Sequence, residues 1–545
     1  MDLFLYPILV AAILAPAAWF WRRHDSLEAL ALGALVSLAA LPALAFGRFL
    51  ILLPPSPARV AGLVALAIAL AGATLIPRFA VPAQPAQPYE HGRSPVWLLL
   101  IGTALLALGV EAVVPHYGIA NLYYDWWEHF DLARFYHAPM DLSRIYQDGY
   151  TVTSRTPVYN LVTSLPLTVF GERFSVFQVA TAALAWLWVM PALLLARRFL
   201  ADQGARVVAL LALSPLILIA ATYSWPKGLV TFFSLLALDR FFALRQATPH
   251  QARAVAVQLG LASGLTLMTH EGFVGYLLPL YAVLVWEVVV RRRSWALLTI
   301  ACAMGLLVAL PWYAWGVAQY GARSGLLGYP EPGYASASLW LLDHVVTLVS
   351  SVVPITVLFH ALGGNPVQQL FVTYLRTAVG LLGVAFLVRA LARSIRRPVA
   401  DQAAVRPLVG FAVAGMVTTT LLLNGWGNGW ASAESIFIPA MIALVIVALA
   451  RAPMTGGMLV VAMAECLLVL AAAVAVMWSP VSLSEPNAQL AVAEQIRFLG
   501  RDTWPFGVAL MLIGAASCLH ALYGSRIAVH KKEPRAGWHE APSVL

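Results

Sequence analysis

The chain has 545 residues, of which 61% are hydrophobic and only 11% are charged, and its mean hydropathy is +0.80. A soluble domain carries about 25% charged residues, so this composition indicates an integral membrane protein and excludes a disordered chain, a collagen-like fibre and a small disulfide scaffold. The net charge is +9, but the cations lie between apolar segments and form no single basic patch, which argues against a nucleic-acid partner.

Apolar segments recur along the chain, and several have about 20 residues, the length of a helix that crosses a bilayer. They predict an all-α membrane protein with about 13–15 transmembrane helices. The segments are 3–20, 28–46, 58–76, 96–114, 174–196, 207–223, 228–245, 255–270, 273–290, 295–315, 372–392, 407–423, 435–450, 457–478 and 505–523. The apolar stretch Leu339–Leu362 is predicted to be interfacial or re-entrant, because counting it as a span would reverse the orientation of the basic loops after it.

The short loops between these segments carry most of the basic residues, and Arg291–Arg293 and Arg396–Arg397 are examples. Cytoplasmic loops are enriched in Lys and Arg, so these loops are predicted to lie inside the cell. The first apolar segment is followed by basic residues and by no small-residue cleavage site, so we expect it to be a retained helix. The Arg and Ala bias is typical of a GC-rich bacterial genome, so we expect a bacterial inner membrane with the long loops in the periplasm.

The first long outer loop combines acidic residues with many aromatic rings. A helix that starts at Asp125 places Asp125, Glu128 and His129 on one face. One carboxylate there could take a proton from a hydroxyl group, a second could orient the first or hold a cation, and the rings could stack on a sugar. The alternative is an interfacial helix whose Trp126 and Trp127 lie in the aromatic belt and whose acids are only solvated.

The pattern resembles the multi-spanning glycosyltransferases of the GT-C class over about residues 96–290. Asp125 in the aromatic segment Tyr124–Phe130 matches the acidic position of that class, and Arg155 in Ser154–Tyr159 matches its Arg-x-Pro element. The resemblance implies a polyprenyl-phosphate sugar as donor, a glycan, lipid or protein as acceptor, and Asp125 as the catalytic base. It leaves the identities of the sugar and the acceptor open.

With this resemblance, the chain divides into four predicted parts. Residues 1–95 hold three additional N-terminal spans, and residues 96–315 form a GT-C-like catalytic core that includes the outer loop 115–173. Residues 316–371 form a second outer loop with interfacial helices. Residues 372–545 contain the C-terminal spans and a short cytoplasmic tail.

Two cations are candidates for binding the donor phosphate. Arg155 lies just before a proline, where the backbone is extended or turning, and its guanidinium could grip a phosphate with two hydrogen bonds. Lys227 lies in a short outer turn, and no other lysine precedes residue 531. The alternatives are an ion pair between Arg155 and a local acid such as Asp148, and a Lys227 side chain that snorkels to the lipid headgroups.

His270 and Glu271 lie at a tight outer turn between two spans. Such a pair could hold a divalent cation or position the acceptor, or it could simply cap a helical hairpin. No cofactor follows from the sequence beyond that divalent cation. The glycine-rich stretch Asn424–Trp430 is interpreted as a lid or an aromatic platform, and Tyr329–Tyr334 as a turn that could close over a sugar.

Three functional hypotheses follow. A glycosyltransferase would invert the anomeric centre by direct displacement, with Asp125 as base and Glu128 in support. A lipid or glycan transporter or flippase would place charged residues in the middle of its spans, where the sequence shows few, with Glu465 and His520 as the main exceptions. A polymerase or ligase for lipid-linked glycans would place its main groups in a later, larger loop. The clustering of ionisable residues at one outer rim favours the glycosyltransferase.

Overall fold

The computed structural model describes residues 2–21, 24–73, 93–113, 125–139, 142–143, 151–200, 204–214, 224–321, 402–422, 438–451 and 499–529, with isolated positions between 389 and 468. Within these ranges the chain is almost entirely helical and contains no strand. The prediction of an all-α fold is therefore confirmed for the part of the chain that the structure describes.

The α-helices of this part are labelled in chain order. They are α1 Leu5–Leu14, α2 Ala17–Phe20, α3 Ser26–Leu52, α4 Pro57–Ala73, α5 Arg93–Val113, α6 Asp125–His137, α7 Val158–Phe170, α8 Phe174–Ala185, α9 Val189–Leu200, α10 Gly204–Ala212, α11 Lys227–Gln246, α12 Pro249–Thr269, α13 Val274–Val289, α14 Trp295–Tyr320, α15 Gln402–Leu422, α16 Ile438–Arg451 and α17 Gly500–Val529. Short 3-10 turns at Val152–Ser154 and Glu271–Phe273 precede α7 and α13.

Eight helical segments in the described ranges are long and apolar enough to cross a membrane. They are Asp2–Phe20, Ser26–Leu52, Val96–Val113, Phe174–Leu200, Pro249–Thr269, Glu271–Val289, Trp295–Tyr320 and Asp502–Leu522. The chain is therefore a multi-pass membrane protein. The predicted spans 372–392 and 457–478 and the stretch 339–362 lie wholly or mostly outside the described residues. The total of about 13–15 spans thus stays a prediction.

Local capping fixes where several helices begin. The Asp25 carboxylate accepts hydrogen bonds from the backbone N–H groups of Leu27 and Glu28, at 2.8 Å and 3.0 Å, and so satisfies two donors at the start of α3. Thr248 and Gln251 form a capping box at the start of α12. Both helices are thereby given defined starts at the same end of the bundle, the end that the arginine distribution predicts to be cytoplasmic.

Small residues let neighbouring helices approach closely. A Cβ atom added to Gly260 in α12 would lie 2.2 Å from the carbonyl oxygen of Ala301 in α14, and Gly264 meets Gly305 one turn later. Glycines in membrane helices allow this kind of backbone contact. The contact fixes α12, whose C-terminal end carries His270.

The described part of the first outer loop is packed against the bundle, because α6 and α7 pack on each other and α7 packs on α3 and α8. Trp126 is only 9% exposed, and its ring lies 5.2 Å from that of Phe174, measured between centroids. Phe130 contacts both Phe174 and Phe177. The interpretation of Trp126 as an aromatic-belt residue is therefore wrong, since its ring belongs to the protein core.

Candidate active site

Segments that are distant in sequence meet at one end of the spans. They are α6, the turn before α7, the first residue of α11, the end of α12 and the 3-10 turn after it. They bring together six of the predicted site residues: Glu128, His129, Arg155, Lys227, His270 and Glu271. Asp125 is the first residue of α6, and its side chain lies outside the described part.

Glu128 and Arg155 form a two-point ion pair. The Arg155 Nη2 atom lies 2.9 Å from Glu128 Oε2, and its Nε atom lies 3.3 Å from Oε1. Arg155 has an extended backbone, with φ −114° and ψ 131°, as predicted from the nearby proline. The acid that pairs with Arg155 is therefore Glu128 on α6, 27 residues away in sequence, whereas Asp148 lies outside the described residues.

His129 is held by two residues at the start of α7. Its Nδ1 atom lies 2.9 Å from Asn160 Oδ1, and its ring makes an edge contact with Tyr159. An amide oxygen is an acceptor, so this contact assigns a proton to Nδ1. Sequence reasoning missed Asn160 and Tyr159, although both directly follow the Arg-x-Pro element and share its segment.

Lys227 and His270 form the second contact of the site. Lys227 Nζ lies 2.5 Å from His270 Nε2 and 5.9 Å from the centre of the Phe273 ring. Both residues are buried, at 8% and 7% exposed. Lys227 thus points into the protein, and the structure does not show the snorkelling conformation.

Burial lowers the pKa of His270 well below its ordinary value, and the neighbouring Lys227, Arg155 and His129 lower this pKa further. His270 is therefore neutral at pH 7. Its Nδ1 atom also faces the backbone N–H of Gly272, at 3.2 Å. A neutral imidazole has one acceptor nitrogen, so Lys227 and Gly272 compete for it.

The start of α11 adds positive potential to the site. Lys227 is its first residue, and the preceding Pro226 provides no side-chain cap. The N-terminus of a helix carries a partial positive charge and favours anions. Gly228 fixes this helix end, because an added Cβ atom would lie 2.6 Å from the carbonyl oxygen of Ala185 at the end of α8.

Glu271 faces a different partner from its neighbour His270. Its Oε2 atom accepts a hydrogen bond from the Thr156 hydroxyl at 3.4 Å, and this bond ties the turn after α12 to the segment that carries Arg155. In the described ranges, no group of three or more His, Cys, Asp or Glu side chains is placed to hold a metal ion. The divalent cation remains a prediction.

A second buried carboxylate lies near the site and was missed from the sequence. Glu111, near the end of α5, is 0% exposed and accepts a hydrogen bond from Gln178 Nε2 at 3.2 Å. The Gln178 side-chain oxygen in turn accepts the backbone N–H of Leu499 at 2.8 Å. The apolar segment 96–114 was interpreted only as a span. A single acid in an otherwise apolar run was the signal that could have identified this residue.

The predicted span 228–245 contains two buried charged residues in its second half. Asp239 and Arg240 are 0% and 2% exposed, and both lie toward the end of α11 opposite to Lys227. Of the two exceptions that the sequence suggested, His520 is exposed on α17 and Glu465 lies outside the described residues. Asp239 pairs with Arg198, and Arg240 pairs with Glu28.

The described helices define an all-helical, multi-pass membrane protein with a charged polar site at one end of its spans. Its fold is similar to that of ArnT from Cupriavidus metallidurans, both in the apo state (TM-score 0.47, 16% identity, 78% of this chain and 77% of that chain) and bound to undecaprenyl phosphate (TM-score 0.47, 17% identity, 80% and 79%). It is also similar to arabinosyltransferase EmbB from Mycobacterium smegmatis, with a TM-score of 0.44, 13% identity, 88% of this chain and 47% of that chain. Neither a protein-family model nor a curated protein matches the sequence.

Proposed function

We propose that the protein is a membrane glycosyltransferase that moves a sugar from a polyprenyl-phosphate donor to a glycan, lipid or protein acceptor. The observation that carries this proposal is the meeting of Arg155 and Lys227, 72 residues apart in sequence, in one polar site at the end of the spans. Lys227 contacts His270, and the next residue, Glu271, is hydrogen-bonded to Thr156, which directly follows Arg155. At the end of the spans a lipid phosphate could reach the site from the bilayer. The two cations would attract its negative charge and donate hydrogen bonds to its oxygens.

The two cations would share the donor phosphate. Glu128 orients the Arg155 guanidinium and takes two of its five N–H donors, and phosphate binding requires donors beyond these two. Lys227 supplies an ammonium group next to the positive end of α11. In this proposal the Glu128–Arg155 pair is a positioning contact that orients the guanidinium toward the phosphate.

The reaction is a direct displacement at the anomeric carbon. The acceptor hydroxyl oxygen bonds to that carbon, and the bond from the carbon to the phosphate oxygen breaks with inversion. The electron pair leaves with the polyprenyl phosphate, whose added negative charge Arg155 and Lys227 stabilise. The hydroxyl proton passes to Asp125, a role supported by the sequence resemblance and by the position of Asp125 one helical turn before Glu128.

His129, His270 and Glu271 complete the proposed site. Their positions around Arg155 and Lys227 suit contacts to the sugar or to the acceptor. A divalent cation bound near these three residues is the second role that we propose for them, because imidazole and carboxylate groups are both metal ligands. Adding and removing Mg²⁺ or Mn²⁺ in a transfer assay separates the two roles.

The proposed location is the outer face of a bacterial inner membrane, with the site toward the periplasm. The distribution of arginines between the spans supports this orientation. Single cysteines placed at residues 120 and 292 of a cysteine-free protein test it with an impermeant maleimide, after the outer membrane is permeabilised. We expect labelling at 120 only. Labelling at 292 only would overturn the orientation.

The alternative function is a lipid or glycan transporter or flippase. A strain that lacks the gene should accumulate a polyprenyl-phosphate sugar, detectable by mass spectrometry of its lipids. Purified protein added to membranes of that strain should then convert this lipid to polyprenyl phosphate and a glycosylated acceptor. A donor that stays chemically intact while it crosses the bilayer would instead identify a transporter.

A further inference from the structure

A second charged region lies at the opposite end of the helices from the candidate active site. The helix α11 begins at Lys227 in that site and ends at Gln246. Its 20 residues rise by about 1.5 Å each, so the two ends are about 30 Å apart, which is the thickness of a bilayer core. This second region therefore lies near the other membrane surface, which the arginine distribution places on the cytoplasmic side.

A cavity of about 500 Å³ opens in this region between the ends of α9, α11 and α13. Ligand sites in proteins commonly have volumes of about 300–1,000 Å³. Four arginines and two aromatic rings make up most of its wall. They are Arg198, Arg245, Arg292, Arg293, Phe199 and Phe242.

The wall has more positive than negative charge. Glu287 is shared by two arginines, with Arg245 Nε at 2.8 Å from one carboxylate oxygen and Arg293 Nε at 3.3 Å from the other. Arg292 adds a third cation and makes no side-chain hydrogen bond or ion pair with the described residues. Among the described residues of the wall, three cations thus face one acid, which leaves an excess of two positive charges at the mouth of the cavity.

Arg198 does not add to this excess, because a buried set of ion pairs neutralises it. Its Nε atom lies 2.6 Å from Asp239 Oδ1, while the other oxygen of Asp239 pairs with Arg240. Arg240 also contacts Glu28, with 2.5 Å between Nη1 and Oε1. Two acids and two arginines balance within this set. The excess positive charge therefore comes from the three arginines at the mouth of the cavity, Arg245, Arg292 and Arg293.

The backbone around Arg291 fixes the positions of Arg292 and Arg293 at the mouth of the cavity. Arg291 adopts φ +58°, a left-handed conformation that costs free energy for a residue with a Cβ atom. The backbone N–H groups of Arg292 and Arg293 both donate to the carbonyl oxygen of Glu287, at 2.8 Å and 3.1 Å. The chain thus turns back over the end of α13 and keeps both side chains at the cavity.

We infer that this cavity binds an anionic membrane lipid through its phosphate headgroup. The excess positive charge attracts the negatively charged phosphodiester of such a lipid, and basic pockets between membrane helices on the cytoplasmic side are suited to lipid phosphates. Phe199 and Phe242 give the cavity an apolar wall that would contact the first carbons of the acyl chains. A free phosphate ion would leave this apolar wall unused, so the lipid is the occupant that fits both parts of the cavity.

Lipid titrations of the purified full-length protein test this inference by native mass spectrometry. We expect phosphatidylglycerol to bind more tightly than phosphatidylcholine. R292Q should weaken phosphatidylglycerol binding about fivefold, and R245Q combined with R292Q by more, since each arginine near a membrane surface contributes similarly. The matched control is R253Q, which changes an exposed arginine in the first turns of α12, at the same end of the bundle but outside the cavity wall. It should bind as wild type does.

Three results would overturn the inference. Equal binding of phosphatidylglycerol and phosphatidylcholine would show that the headgroup charge is not recognised. Equal losses in R292Q and R253Q would show a diffuse surface attraction. Inorganic phosphate that binds as tightly as the lipid, and displaces it, would show a site for free anions. R155Q separates this site from the proposed active site, because it should leave phosphatidylglycerol binding unchanged.

Discussion

The two ends of α11 both bury charged side chains, but they balance these charges differently. At the end near Gln246, called the inner end, Asp239 and Arg240 form ion pairs with Arg198 and Glu28, so that each charge has an opposite partner. At the end that begins with Lys227, called the outer end, Lys227 contacts the neutral ring of His270, and Arg155 lies in the same site. Burial alone therefore does not distinguish the two ends of the helix, whereas the kind of contact does. At the inner end ion pairs join neighbouring helices, and at the outer end a lysine contacts a neutral histidine.

The largest expected effect is on turnover at the outer end. Asp125→Asn keeps the shape of the side chain and removes the proton acceptor. Loss of a general base typically slows a reaction by about two to four decades. The rate at which the accumulated lipid-linked sugar disappears, after the variant is induced in a strain lacking the gene, measures this loss.

Glu128→Gln is the matched comparison. It releases Arg155 from its ion pair, so it should raise the donor concentration needed for half-maximal rate more than it lowers the maximal rate. If Asp125→Asn turns over normally and Glu128→Gln is inactive, the two roles are exchanged. If both variants are active, α6 takes no part in catalysis.

The second largest effect is on stability at the inner end. Asp239→Asn removes the carboxylate that pairs with Arg198 and Arg240, and it leaves the buried Arg240 with Glu28 as its remaining acidic partner. Breaking a buried pair typically costs about 3–5 kcal/mol. Unfolding in detergent mixtures should show this loss in the free energy of unfolding, or the folded yield should fall.

The matched control for this variant is Glu172→Gln, in an exposed ion pair with Arg134 whose side chains are 33% and 30% exposed. Exposed pairs contribute about 0–1 kcal/mol, so this variant should unfold nearly like wild type. Similar stabilities for the two variants would mean that the inner ion pairs do not hold the helices together.

The smallest effect is a pH dependence that arises from His270. Its pKa in the folded protein lies below the ordinary value of 6.5, so in that window the unfolded chain binds a proton that the folded chain does not. Stability should therefore fall as the pH drops below about 6.5, by about 1.4 kcal/mol per pH unit, until the folded-state pKa is reached. His270→Asn should flatten this slope in thermal unfolding between pH 7.5 and 5.5, and the exposed-site variant His250→Asn should not. Equal slopes in all three proteins would contradict the assignment.

Hydropathy predicted most of the fold, because spanning helices are specified by local composition. Segments such as 28–46 and 295–315 lie within Ser26–Leu52 and Trp295–Tyr320. Residues Asp125–His137 are helical, in agreement with the helix predicted to carry Asp125, Glu128 and His129 on one face. Ends of helices were less accurate, since capping residues and packing extend a helix beyond its apolar core.

The sequence identified individual residues of the site, but it did not predict which of them contact one another. Glu128, Arg155, Lys227 and His270 were each singled out from local sequence, but no local signal pairs residues that are 27 or 43 positions apart. Those pairs depend on how α6, α11 and α12 pack. Buried charges such as Asp239 were missed because the segment 228–245 is apolar on average even though it contains two charged residues.

Binding of a lipid phosphate at the outer end tests the central claim most directly. Purified wild-type protein should bind a short-chain polyprenyl phosphate, and Arg155→Gln and Lys227→Gln should each weaken this binding by about one to two decades, since a hydrogen bond to a charged group contributes about 1.5–3 kcal/mol. Arg134→Gln, which changes an arginine paired with Glu172 and Asp131, should bind like wild type. If Arg155→Gln and Lys227→Gln both bind the lipid as tightly as wild type does, the two cations do not form a phosphate site and the proposed function loses its support.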